Sequence, residues 1–363
     1  MRPHPITGIS AQAYTIPTDH PESDGTLEWR ATTIIIVRIQ AAGRTGIGYT
    51  YAHACLVDLI NATLAPVLLG QDGFGISACR QRLMTAVRNL GCTGLGAMAI
   101  SACDIALWDL KGQLLEVPLV ALLGSCRTGC PIYGSGGFTS YDDTRLAAQL
   151  QGWAAAGMGM VKMKIGRDPR RDPQRVRCAR AAIGAEVSLF VDANGAYQPA
   201  QAVALAEEFA ASGVRWFEEP VPSQDAPRMH WVRRRLPLGM DLAGGEYQFT
   251  LADAQSLLAA EAVDVLQADA TRCLGISGFI ETAALCAARG IELSAHCAPA
   301  MHMHLGCALP VVRHVEWFHD HVRIESLCFD GAPSPVAGVV RPDLGRPGLG
   351  LIVKEPDMAR YAA

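Results

Sequence analysis

The sequence predicts an α/β protein: a closed barrel of alternating strands and helices behind an N-terminal α+β module. Three observations carry this. From Cys130 onward, short apolar strand-like runs alternate with Ala-rich helical stretches, the pattern of parallel βα units. Eight such strands fit into about 190 residues, which favours closure over an open doubly wound sheet. The first third differs: a β-branched run at residues 32–39 is followed by Ala42-Gly43-Arg44 and a second strand-like stretch to Tyr51, a hairpin signature.

Helical periodicity then runs over residues 97–115 and stops before Val117-Pro118, because the residue preceding a proline is driven out of the helical region. Ser101, Asp104 and Lys111 dot an otherwise apolar stretch, so the helix is expected to be largely buried. Barrel strands are expected at 131–134, 160–165, 188–192, 215–218, 241–246, 263–269, 291–296 and 313–317. Helix ends between them are marked by Pro199 at a first helical position and Gly213 as a stop. Thr250 and Asp253 form a capping box, and Ser277 and Gly290 bracket residues 279–289. The tail from Asp330 is rich in Pro and Gly, has one strand-like piece at 349–353, and is expected to fold back on the first module. The expected division is 1–128, 129–325 and 326–363.

A chain of 363 residues, half of them hydrophobic and 18% charged, has ample core material. A net charge of −4 gives no basic footprint for nucleic acid and no polybasic patch for a membrane, so a small-molecule partner is expected. The twelve cysteines are scattered. Only Cys126 and Cys130 lie close, at a spacing foreign to a paired CxxC framework, and the cysteines read as reduced core thiols. Residues 1–12 lack the apolar run of a signal peptide, no stretch approaches 18 apolar residues, and a cytoplasmic location is expected.

The chemistry lies at the strand ends. From the second barrel strand to the eighth, each ends in or contains a polar residue of catalytic type: Lys164, Asp192, Glu218, Glu246, Asp269, His296 and Glu316. Successive separations of 28, 26, 28, 23, 27 and 20 residues are each about one βα unit. A barrel converts that period into a ring at its C-terminal mouth. Any one of the acids alone would be read as a strand-end salt bridge. Three consecutive carboxylates, Asp192, Glu218 and Glu246, converging on one point would repel one another without a cation. Their all-oxygen character suits Mg²⁺, with Mn²⁺ as an alternative.

Lys162 and Lys164 share one face of a strand, so their ammonium groups are expected to depress at least one pKa and make Lys164 a base near neutrality. Asp269 and His296 end neighbouring strands, where the carboxylate can fix the imidazole tautomer and make His296 a second base on the opposite side. Glu316 is expected to be protonated and to donate to a substrate carboxylate oxygen. His302, His304, His314, His319 and His321 invite a zinc reading, but their spacings do not place them on one strand face. Gly94-x-Gly96-x-x-Ala99 mimics a dinucleotide fingerprint without the strand that should precede it.

These motifs together resemble the enolase superfamily, and within it the mandelate racemase subgroup. The resemblance is carried by AISACDIALWDLKG at 99–112, Lys162-Met163-Lys164, Val191-Asp192-Ala193-Asn194-Gly195, Trp216-Phe217-Glu218-Glu219-Pro220, Gly244-Gly245-Glu246, Gln267-Ala268-Asp269, Ser294-Ala295-His296 and the closing Arg346-Pro347-Gly348-Leu349-Gly350. It implies a modified (β/α)7β TIM-type barrel under an N-terminal α+β capping domain, with one Mg²⁺ per subunit on Asp192, Glu218 and Glu246. It also implies that the metal and Lys162 stabilise an enediolate while Lys164 or the His296/Asp269 dyad moves the α-proton of a carboxylate substrate. Specificity is implied to come from two cap loops, near residues 20–25 and 49–51. Asn194, Asp24 and Tyr51 are the expected substrate-binding residues, and a homo-oligomer is expected. The polar first loop favours a hydroxylated substrate. Dehydration of a sugar acid is therefore the first expectation, followed by racemisation or epimerisation of a 2-hydroxy acid and by lactone cycloisomerisation. A sugar-acid-binding protein without turnover is the alternative from another class.

Overall fold

The computed structural model describes residues 3–363. The β-branched run becomes the middle strand of a three-stranded antiparallel sheet, β1 (Ile6–Ser23), β2 (Glu28–Ala41) and β3 (Arg44–Tyr51), ordered β1-β2-β3. Its two-residue period divides the run between two cores. Ile34 and Ile36 pack with the barrel, whereas Ile35 and Val37 pack with the cap helices. The β2–β3 turn places Ala42 and Gly43 at φ 47° and 75°, as a tight hairpin requires.

The 18-residue β1 was not expected from the sequence. It lies at the sheet edge, where Pro17 and Pro21 are tolerated because one row of N–H groups is unpaired anyway, and it lacks the alternation that marks a half-buried strand. The periodic helix spans Leu95–Leu115 and is almost entirely buried. It lies so close to β3 that a Cβ on Gly46 or Gly48 would strike its backbone. Gly94 opens this helix after a turn, so the GxGxxA pattern follows no strand.

All eight barrel strands form: β4 (Cys130–Gly136), β5 (Met160–Lys164), β6 (Ser188–Asp192), β7 (Val214–Glu218), β8 (Asp241–Gly244), β9 (Val265–Ala268), β10 (Glu292–Ala295) and β11 (Val312–Phe318). Every neighbouring pair is parallel, and β11 pairs with β4, which closes the barrel. Helices follow the strands around the outside, the last being His319–Cys328. The Thr250/Asp253 capping box forms as expected. Ser277 does not open its helix. That helix begins at Gly275, and Ser277 instead donates its hydroxyl and its N–H to Asp104 of the cap helix, at 2.6 and 3.0 Å. A carboxylate of the cap thus terminates a barrel helix.

Inside the barrel, Tyr133, Phe190, Trp216, Ala243 and Val265 form an apolar floor, with Phe190 and Trp216 stacked at 5.1 Å. The tail returns to the cap: Leu349 N donates to Asp109 Oδ1 at 2.7 Å, and Ala363 N to the carbonyl of Ala13 at 3.1 Å. All twelve cysteines are free. Among the described residues no helix is long and apolar enough to cross a membrane.

Candidate active site

Strand register brings the ring residues together. Lys164 pairs with Asp192, and Asp192 with Glu218, so these three stand on one rung of the sheet and point into the mouth. Glu246 follows two residues after β8, beyond Gly245, whose φ of 122° a residue with a Cβ rarely adopts. Asp192, Glu218 and Glu246 are buried, and one oxygen from each lies within 4.8 Å of the others.

Two ammonium groups are threaded among them. Lys162 Nζ lies 2.5 Å from Glu218, 2.8 Å from Glu316 and 3.4 Å from Asp192, and Lys164 Nζ lies 2.5 Å from Asp192. Burial works against both charged forms, but the carboxylates outweigh it and hold both lysines above the ordinary range. Among these side chains alone Lys164 is therefore raised, where a depressed value was expected. The repulsion from Lys162 is present, and the attraction to Asp192 exceeds it. Glu316 is also corrected. Burial alone would favour its acid form, but Lys162 and His296 hold it ionised. Ser135 Oγ and Cys297 N donate to its two oxygens at 2.6 and 3.1 Å, so it acts here as an acceptor.

On the far side, His296 Nδ1 meets Asp269 Oδ2 at 2.9 Å, while Nε2 faces Glu246 Oε2 at 3.1 Å and Glu316 Oε2 at 3.6 Å. Asp269 is itself fixed by the N–H of Thr271 at 2.7 Å and has Arg272 at 3.7 Å. The bases therefore flank the carboxylate triad, Lys164 at Asp192 and His296 at Glu246.

The donor set fits a hard divalent cation. Burial and the adjacent Asp192 push Glu218 well above the carboxylate range, a like-charge conflict that a cation relieves. Asp192, Glu218, Glu246, Asp269 and Glu316 face the cations Lys162, Lys164 and Arg272, and even with His296 protonated the five carboxylates exceed the cations by one. Asn194 Oδ1 is buried without a hydrogen-bond partner.

Lys164, Glu246, His296 and Glu316 line a cavity of about 470 Å³ that cap residues border on one side. Asn194, Asp24 and Tyr51 all border it. The Tyr51 hydroxyl is buried and unpartnered, and its ring stacks on His321 at 3.5 Å. Asp24 commits Oδ1 to its own turn, accepting from the N–H groups of Thr26 and Leu27 at 2.6 Å each.

The first cap loop differs from expectation. Residues 20–23 belong to β1, and His20 and Pro21 face a separate surface cleft. Glu22 turns its carboxyl to the Trp29 indole at 2.9 Å, so the wall offered to the cavity is Asp24, Leu27, Trp29 and Thr32. Of the other candidate histidines, His321 lines the cavity and the remaining four are structural or peripheral. His302 braces Ala270 N and the Cys297 carbonyl, His304 meets the Leu349 carbonyl, His314 joins the barrel floor, and His319 pairs with Asp19.

Several contributors were not anticipated. Trp216 donates to Glu218 Oε2 at 2.9 Å, which the two-residue period between them could have indicated. Arg272 lies one turn beyond Asp269 and Cys297 directly follows His296, whereas nothing local in the sequence marks Tyr247, Phe318 or His321 as cavity residues.

Comparison with known proteins identifies the family and the fold. Residues 145–357 match the family model described as enolase C-terminal domain-like, and residues 16–124 match the mandelate racemase/muconate lactonizing enzyme N-terminal domain. The chain is 31% identical to the L-talarate/galactarate dehydratase of Salmonella typhimurium over 79% of its own length and 74% of that protein's. It is also 31% identical to the 3,6-anhydro-alpha-L-galactonate cycloisomerase of Streptomyces coelicolor, over 91% of each. A mandelate racemase/muconate lactonizing enzyme-like protein from Rubrobacter xylanophilus superposes with a TM-score of 0.96 at 49% identity, covering 99% of both chains. A Streptomyces coelicolor racemase solved with bound magnesium gives 0.93 at 30% identity, covering 99% of this chain and 100% of that one. The talarate/galactarate dehydratase solved with Mg and L-glucarate gives 0.91 at 27% identity, covering 99% and 92%.

Proposed function

The chain belongs to the mandelate racemase/muconate lactonizing enzyme family of the enolase superfamily, and from that premise we propose that it abstracts the proton alpha to a sugar-acid carboxylate and eliminates the β-hydroxyl. The observation that carries this reading is the pair of bases, Lys164 and His296, on opposite flanks of one buried carboxylate triad and open to one cavity.

Asp192, Glu218 and Glu246 would hold Mg²⁺, or Mn²⁺ in its place, and the bound ion supplies Lewis-acid stabilisation of charge developing on the substrate carboxylate. Lys162, fully buried, keeps its ammonium charge against the same developing charge. Lys164, once Asp192 is engaged elsewhere, loses the attraction that holds its proton and can accept one from the substrate. His296, oriented through Nδ1 by Asp269, presents Nε2 to the cavity, where it can give a proton to a departing hydroxyl or return one to carbon. Asn194, Asp24 and the free Tyr51 hydroxyl meet substrate hydroxyls.

A second reading, cycloisomerisation of a cyclic sugar acid, is favoured by the apolar part of the wall. Leu27, Trp29 and Phe318 suit a ring face better than an extended polyol. Racemisation or epimerisation needs the same two bases without elimination. The protein, loaded with Mg²⁺, should be incubated with aldonic, aldaric and anhydro- or lactone-type acids. A semicarbazide-reactive 2-keto product indicates dehydration, a ring-opened or ring-closed isomer indicates cycloisomerisation, and solvent deuterium at C2 with inversion indicates epimerisation. Binding with no product and no exchange across the set would sink the enzymatic reading in favour of a non-catalytic sugar-acid binder.

A further inference from the structure

Cys297 has no part in the chemistry above, yet its thiol sits at the cavity wall against two of the residues that do. Cys297 Sγ is 3.3 Å from His296 Nε2 and 3.4 Å from Glu316 Oε2, and those two atoms are 3.6 Å apart. A triangle with these sides has its corners about 2.0 Å from its centre, while Zn²⁺ takes sulfur at about 2.3 Å and nitrogen or oxygen at about 2.0–2.2 Å. An ion therefore fits just off the plane of the three atoms with no side-chain movement, and its fourth position is left open. We propose that His296, Cys297 and Glu316 form a second, inhibitory site for a thiophilic divalent cation of the Zn²⁺ or Cd²⁺ class, distinct from the all-carboxylate Mg²⁺ set.

The two sets share no residue and differ in softness. Asp192, Glu218 and Glu246 offer hard oxygens only, whereas the Cys297 thiolate selects ions that Mg²⁺ does not resemble. The geometry is built rather than incidental. Cys297 adopts φ 53° and Ala298 φ 42°, and the His302 imidazole bonds the Cys297 carbonyl at 2.7 Å, which fixes the backbone that aims the thiol. All three ligands are buried and line the cavity, so an ion enters by the substrate's route. Binding breaks the Cys297 S–H bond and the His296 Nε2–H bond, forms one sulfur–metal and one nitrogen–metal bond in their place, and releases both protons to solvent. Affinity should consequently rise with pH. With Nε2 occupied, His296 can no longer transfer a proton, and a substrate carboxylate competes for the same space.

The test is a Cd²⁺ titration of the Mg²⁺-saturated protein followed by the ultraviolet thiolate-to-cadmium band. It is run in a Cys55→Ser/Cys126→Ser background, because those two thiols are exposed. One equivalent should bind, Cys297→Ser should abolish the band, and His296→Asn should weaken affinity at least tenfold. An unchanged titration in Cys297→Ser overturns the proposal. If circular dichroism finds that variant unfolded, X-ray absorption of the Zn²⁺-loaded background protein decides: one sulfur among nitrogen and oxygen neighbours supports the site, and a shell without sulfur overturns it. Neither readout uses turnover, so the result is independent of the reaction proposed above.

Discussion

Trp216 and Glu218 stand two residues apart on β7, and the indole N–H of the first donates to Oε2 of the second at 2.9 Å inside the barrel. The bond holds one carboxylate oxygen down against the apolar floor and leaves the other for the mouth. Orienting partners of this kind typically set metal affinity by about tenfold to a hundredfold. Trp216→Phe, which retains the ring and loses the donor, should weaken Mg²⁺ binding by that range in calorimetry. Wild-type affinity in the variant would remove Trp216 from the metal site.

Two substitutions separate the bases. Lys164→Ala and His296→Asn should each abolish turnover of a substrate that needs both. If the two act on opposite faces, one variant should still exchange the C2 proton of a substrate stereoisomer with solvent deuterium. Glu246→Gln should lose Mg²⁺ binding, and full occupancy in that variant would refute the ligand assignment.

The Tyr51 hydroxyl is buried without a partner, so removing it leaves nothing else unsatisfied. Tyr51→Phe should melt within a few degrees of wild type and raise KM for hydroxylated acids more than it lowers kcat. An unchanged KM across a panel of such acids would show that no substrate hydroxyl reaches it.

Glu325 accepts from the Tyr49 hydroxyl at 2.6 Å and from Ala300 N at 3.0 Å, and burial, outweighing these donors, pushes its carboxyl up to about 8. The folded state therefore keeps a proton that the unfolded chain releases near pH 4.5. This contribution to stability is fully present below about pH 4.5 and declines as pH rises through about 8. Glu325→Gln, a neutral isostere, should flatten that part of the melting-temperature profile. A slope identical to wild type would assign it to other groups.

Asp104 links cap and barrel by accepting both the N–H and the hydroxyl of Ser277. Asp104→Ala leaves a buried helix start without its acceptor and should cost about 1–3 kcal/mol in chemical denaturation. Gly275 beside it has φ 83°, and a Cβ there would overlap the Asp104 carboxylate, so Gly275→Ala should be at least as damaging.

The barrel was legible in the sequence because parallel strands buried on both faces read as apolar runs, and closure turns a linear spacing into a ring. That is why Lys164, Asp192 and Glu218 could be placed together before their shared rung was seen. β1 was not legible, since an edge strand containing Pro17 and Pro21 carries no alternation. The charge states of Lys164 and Glu316 were misjudged for a related reason. Sequence places Lys162 beside Lys164, but only the fold brings Asp192 within 2.5 Å of one and Lys162 within 2.8 Å of Glu316. The cavity wall was similarly hidden: residues 20–25 were expected as a specificity loop, and Glu22 within them instead anchors Trp29.

The buried carboxylate of Asp109 takes one N–H from Ile47 and one from Leu349, both at 2.7 Å. During synthesis the second donor leaves the ribosome some 240 residues after the acid it satisfies. A nascent chain stalled before Pro347 should accordingly show a protease-sensitive cap, and full resistance at that length would contradict this. The module made first is thus the one whose buried carboxylate is satisfied last.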